Sequence, residues 1–337
     1  MKKGIILLAS ILLSIGIRAQ DTINPLGYGL REASDGVARY RVLQQAHKAA
    51  AEKDLPISYR GIDTLRLEIP ADAEPLPLTH DADFGNAVVM VKNNGKDISL
   101  FSRVQYAEEI EISSEELDFE NREHIKNALP AMGTGLLILT DEEPWVAERK
   151  GYSYPVMRKD VILLHDRQPL TRPVASYLTE ATKVKAYSCI VDDYSKHYHN
   201  LTFIRDEKST FKTFCFHFRN QNNVTVENIH VVTPESKMTG DAVFGVNNCV
   251  GITFSDITVE GTYSAPGKYG YAFSMNNVYG SMFLRVKADG KWGVFGTNNM
   301  NNTYLEECDI NRFDIHCYGR DVFFRKCTFR NKQTQFG

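Results

Sequence analysis

Arg312, Asp314 and His316 alternate with Phe313 and Ile315 along one short stretch. Residues two apart on a β-strand share a face, so a guanidinium, a carboxylate and an imidazole would project together. A carboxylate beside an imidazole orients it and raises its basicity, which suits general acid/base work. Asp314 and His316 are therefore the candidate acid/base residues, with Arg312 neutralising substrate charge. The competing reading is a surface salt-bridge cluster without chemistry. A second group, Tyr263, Lys268, Tyr269, Tyr271, Lys291 and Trp292, lies between repeats. Exposed tyrosine and tryptophan can stack on sugar rings, and lysine can pair with uronates, so Lys268, Tyr269, Lys291 and Trp292 are the candidate substrate-binding residues. Loop packing is the plainer alternative.

A repeat positions these residues. Val224-Val226-Ile229-Val231, Ile252-Phe254-Ile257-Val259, Ser281-Phe283-Val286-Ala288, Thr303-Leu305-Cys308-Ile310 and Val322-Phe324-Cys327-Phe329 share the spacing 0, +2, +5, +7. The third member recurs after 28, 29, 22 and 19 residues. Two short strands meeting at a bend produce this spacing, because the bend shifts the period-2 alternation by one. Units of roughly 20–30 residues that bury an apolar face only by stacking make a solenoid.

The strand preceding each repeat forms columns. Phe216, Phe244, Phe273 and Phe295 are expected to point inward as an aromatic ladder, followed by Asp314. Gly245, Ser274 and Gly296 would make a small-residue outer floor along which an extended ligand could lie. Asn220, Asn248, Asn277 and Asn299 would sit at bends, where asparagine tolerates unusual backbone angles. Asp314 in a phenylalanine column conflicts with the cost of burying a carboxylate. A one-residue register slip in the last coil would resolve this and turn Arg312, Asp314 and His316 outward.

The remaining chain sets the context. Lys2 and Lys3 precede an apolar run from Gly4 to Ile17. This reads as a secretory signal peptide over residues 1–19, shorter than the roughly 20 residues of a membrane span. Its removal makes the formal charge of −3 more negative by three. The protein is expected in the periplasm or outside the cell, with no membrane insertion after cleavage. Without basic blocks, nucleic acid is excluded as a partner. Residues 20–57 hold a capping helix over 35–53, started by Ser34 or Asp35, with Val37, Tyr40, Leu43, Ala46, Ala49 and Ala50 near one face. Residues 58–337 form the solenoid. Only Arg330 to Gly337 follow Phe329, so this reading takes the chain as truncated there. Glu108 to Glu123 form an acidic run, read as a solvated excursion. No cofactor is implied; Ca²⁺ is the one left open. Cys308 and Cys327 share a repeat position and read as an interior ladder, with a disulfide as the alternative.

Asp35-Gly36, the helix with Leu43-Gln44-x-Ala46, and the later Asn-rich coils resemble the pectin-lyase-like superfamily over nearly all of the mature chain. That resemblance implies an all-β, right-handed parallel β-helix with a short N-terminal capping helix. The Phe-Asp-x-His string, Phe313 to His316, is similar to one in bacterial and phage β-helix proteins of this superfamily. The superfamily spans lyases, hydrolases, epimerases, tailspikes and adhesins, so it does not by itself assign a function. Arg167-Gln168-Pro169-Leu170-Thr171-Arg172 matches the Arg-x-Pro-x-x-Arg string of pectate lyases, but without the expected upstream Trp-Ile-Asp-His. The polygalacturonase aspartate pattern is absent. Export, a β-helix and a polar triad beside a small-residue floor point to a polysaccharide lyase or glycoside hydrolase acting on an acidic glycan. The other reading is a non-catalytic glycan-binding or adhesion module.

Overall fold

The computed structural model describes residues 21–105, 109–112, 126–127, 129, 133–146, 156–171, 182–188, 195–233, 241–261, 270–288, 290, 294–315 and 319–330. The described chain is mostly β-strand, with one α-helix, Gly36–Lys53. Asp35 caps that helix, its Oδ1 accepting the Ala38 N–H at 2.8 Å. The helix ends at Asp54, which adopts a left-handed backbone and returns its N–H to Ala50 and Ala51. Tyr40, Leu43, Ala46, His47 and Ala50 make its buried face. His47, absent from the apolar pattern, is fully buried; its ring nitrogens lie 2.9 Å from the Pro77 carbonyl and 2.8 Å from the Tyr59 hydroxyl.

Beyond the helix, seventeen strands form one sheet in which every strand pairing is parallel. Successive passes stack in the register the repeat predicts: Val224 pairs with Ile252, Phe254 with Phe283, Leu305 with Phe324. The 0, +2, +5 and +7 positions of the first four repeats are all buried. The phase shift between +2 and +5 has a local cause. The +4 residue is left-handed in every repeat: Asn228 (φ 51°), Asp256 (54°), Arg285 (53°), Glu307 (54°) and Lys326 (53°). Such a φ costs a side-chain-bearing residue on the order of 1–3 kcal/mol, least for Asn and Asp. Stacking converts the column into alternating charges. Arg285 pairs with Asp256 at 2.6 Å and Lys326 with Glu307 at 3.0 Å.

Two further repeats escaped the sequence pattern. Lys196-Tyr198-Leu201-Phe203 is buried with Asn200 left-handed at +4, and Ala82-Phe84-Ala87-Val89 with Asn86 left-handed. They stack on each other, Leu201 against Ala87 and Phe203 against Val89. Ile98–Val104 likewise pairs with Thr213–Arg219. The chain therefore leaves the stack after residue 105 and rejoins it near 195. The described strands between form a separate antiparallel sheet of five. This corrects the expectation of one continuous solenoid from residue 58, because strand periodicity is the same in either kind of sheet. The sheet docks on the column two residues past the asparagine bends, Val250 after Asn248 and Asn301 after Asn299. Val161 O accepts from Asn301 Nδ2 at 3.3 Å and Arg320 Nη2 at 3.1 Å, Arg320 lies 3.5 Å from Asp160, and Val161 packs with Val250.

The aromatic ladder is longer at its start and shorter at its end than expected. Phe101, Phe216, Phe244 and Phe273 stack with centroid distances of 5.3, 6.0 and 4.9 Å. Phe295 is not the next member. The register slips between the pass at Gly270–Tyr279 and the one at Val294–Glu306, so Phe273 pairs with Val294 and Ser274 with Phe295. The slip exists, but one pass earlier than the charge conflict placed it.

Candidate functional site

The slip decides what Asp314 faces. Asp314 pairs with Phe295, and through it with Ser274, Gly245 and His217, the column that flanks the inward ladder. Gly296 pairs with Ile315 and does not belong to the floor. Phe313 and Ile315 pack against the core. The apolar and polar residues of this strand thus separate as their chemistry requires, and Asp314 stays out of the phenylalanine ladder.

The Asp314 carboxylate is held by two donors. Arg312 Nη2 approaches its Oδ2 at 2.5 Å, and the Tyr271 hydroxyl donates to the same oxygen at 3.0 Å. The Arg312 and Asp314 side chains are only 14% and 12% exposed. A charge-assisted pair in so shielded a place is stronger than a surface ion pair and holds both side chains in one geometry. Tyr271 arrives from two passes away, across the stacking of Gly270–Tyr279 on Val294–Glu306 and of that pass on Phe313–Ile315, which the local sequence around Asp314 could not reveal. The partner that stands beside Asp314 is thus a phenol from a distant segment. His316, Lys268, Tyr269, Lys291 and Trp292 lie outside the described residues. Most of the acidic run considered for Ca²⁺ lies outside them too.

A second polar cluster was missed. His197 and His199 stack at 4.4 Å on the strand Lys196–Arg205. His197 Nε2 lies 2.9 Å from Glu227 Oε2, and His199 Nδ1 lies 3.6 Å from Asp83. Partial burial raises the Asp83 pKa, but the Gly85 N–H, the Asn200 amide, His199 and Arg60 together outweigh it and lower it. The signal was His197-x-His199, a period-2 pair of imidazoles. All four side chains are bonded across passes as the ladder residues are, which accounts for them without chemistry.

The pectate-lyase-like string is placed in a hairpin. Asp166 and Arg167 are both left-handed, at φ 47° and 64°, and join Val156–His165 to Gln168–Pro169. This is the two-residue turn that matches strand twist. Arg167 serves that turn in the antiparallel sheet.

No protein-family model matches this chain, and no curated protein does. Among solved structures, the tailspike protein gp49 from Pseudomonas phage LKA1 aligns with a TM-score of 0.55 at 12% identity, over 90% of this chain and 59% of the tailspike. The Gp54 tailspike of Acinetobacter baumannii bacteriophage AP22, solved with a capsular saccharide, aligns at 0.36 and 7% identity, over 90% of this chain and 58% of its own. A Parabacteroides merdae protein provisionally named a glycosyl hydrolase aligns at 0.35 and 8% identity, over 94% and 99%. The last two scores are too low to bear on fold. The chain thus spans little more than half the length of the gp49 tailspike, and what it shares with that protein is the fold.

Proposed function

We propose that this is an exported carbohydrate-active protein of the right-handed parallel β-helix type, related to the pectin-lyase-like superfamily and acting on an acidic polysaccharide. The observation that carries the reading is the shielded Arg312–Asp314–Tyr271 cluster on the column outside the phenylalanine ladder. Tailspike-like architecture supports it at the level of fold. In this reading the antiparallel sheet, docked one bend away, forms a wall beside that column. Arg312 and Tyr271 hold the Asp314 carboxylate in place, and His316, two residues on, exchanges the proton. Lys268, Tyr269, Lys291 and Trp292 bind the sugar chain. Whether the bond is broken by elimination or by hydrolysis is read from the product.

A second reading, a non-catalytic glycan-binding module, is favoured by the same geometry, since an Asp314 already bonded to two donors also suits a structural role. Purified protein and its Asp314→Asn and His316→Ala variants, incubated with acidic and neutral polysaccharides, separate the two. New reducing ends or an unsaturated product from the native protein alone support catalysis. Binding without turnover, unchanged in both variants, supports the module. Neither turnover nor binding on any glycan overturns both.

A further inference from the structure

We propose that a pocket at the opposite end of the Asp314 column binds a carboxylate-bearing sugar unit of the same chain; this rests on the glycan reading above and assigns its acidic character to particular residues. The pocket, about 440 Å³, is lined by Ser99, Phe214, His217, Lys96, Asp97 and Lys212. That volume falls in the usual range for small-molecule sites, roughly 300–1,000 Å³. Its walls come from Ile98–Val104 and Thr213–Arg219, strands brought together only by the return of the chain after residue 195.

Gly245 makes room for the site. A Cβ there would lie 3.1 Å from His217 Cδ2 and 3.4 Å from Phe214 Cδ2, so both rings lie over the next pass because that position has no side chain. Phe214 offers an apolar face to the C–H side of a pyranose. His217 Nε2 lies 2.9 Å from Asn247 Nδ2. Burial, with Arg219 adding to it, lowers the His217 pKa and keeps the ring neutral. A neutral imidazole that accepts at Nε2 carries its proton on Nδ1, as a donor.

Two lysines and one carboxylate line the pocket. Asp97 Oδ1 is turned onto the Lys212 backbone N–H at 2.8 Å, and Lys96 Nζ lies 3.4 Å from Glu74. Among the described residues no ion pair engages the Lys212 ammonium, so it is the cation left to meet one carboxylate. The pocket is in line with the candidate chemistry. His217, Gly245, Ser274, Phe295 and Asp314 pair in sequence. Four steps at about 4.8 Å separate the ends by roughly 19 Å, the reach of several sugar units.

The test is calorimetric binding of hexagalacturonate and, as the neutral counterpart, xylohexaose, to the native protein, Lys212→Glu and Gly245→Val. Lys212→Glu is a surface change that leaves the core intact. The expected result is that both variants bind hexagalacturonate at least about tenfold more weakly. Native-like affinity in both variants overturns the subsite and leaves the glycan reading standing. Binding of xylohexaose but not hexagalacturonate by the native protein overturns the acidic assignment alone. Binding of neither, together with no turnover on any polysaccharide, overturns the subsite and the glycan reading together.

Discussion

Lowering the pH should loosen the N-terminal cap through one residue. His47 is fully buried between the helix and the first strands, and desolvation, partly offset by the Pro77 carbonyl, takes its pKa from the ordinary 6.5 down to about 4. The folded value lies below the unfolded one, so between them the unfolded chain binds more protons. The stability due to a neutral His47 is complete above about pH 6.5 and is lost as pH falls towards 4. Linkage over that window gives a loss of about 2 kcal/mol between pH 7 and pH 5, and about 3 kcal/mol below pH 4. The assay is urea unfolding followed by circular dichroism at 222 nm, where the helix Gly36–Lys53 contributes most of the signal. Stacked repeats can release a terminal unit alone, so the helix is followed directly. His47→Gln keeps an amide in place of the ring but does not titrate. The native protein should lose about 2 kcal/mol more than the variant on going from pH 7 to pH 5. Equal losses in the two proteins would refute the reasoning.

Three further outcomes are expected. Phe254→Ala should destabilise the stack by about 3–5 kcal/mol in urea melts, because Phe254 is fully buried and packs on Phe244, Phe273 and Phe283 at 5.3, 4.8 and 5.5 Å; a loss under about 1 kcal/mol would contradict this packing. Asp160→Ala removes the carboxylate 3.5 Å from Arg320 and should speed hydrogen exchange in residues 134–146 and 156–165 while residues 224–233 and 241–259 stay protected; uniform exchange across both regions would mean the antiparallel sheet is held otherwise. Burial pushes the Cys308 and Cys249 thiols up to about 12, so both should resist thiol reagents at pH 8 in native protein and react once it is unfolded; fast native labelling of Cys249 would show that its site opens.

The stacked passes, the asparagine bends and the capping helix were legible from residue order, because each rests on short-range chemistry. Period-2 alternation selects the buried side of a strand. A residue that tolerates a positive φ sets the bend, and Asp35 starts the helix within three residues of itself. The +4 position was less legible, since Arg285 and Lys326 are poor left-handed residues on their own. Only the neighbouring passes supply the Asp256 and Glu307 that pair with them.

Asp314 shows where residue order stops. Its outward direction followed from the cost of burying charge. Its surroundings did not follow, because Tyr271 reaches it through a register slip between two other passes. Such a slip is invisible to alternation, which is unchanged on either side of it. The return of the chain to stack Leu201 on Ala87 and Phe216 on Phe101 was hidden for a related reason. Apolar periodicity states that a strand has a buried face but not which strand covers it. That choice is made by backbone hydrogen bonding and ring packing across about a hundred residues, and it builds the His217 pocket.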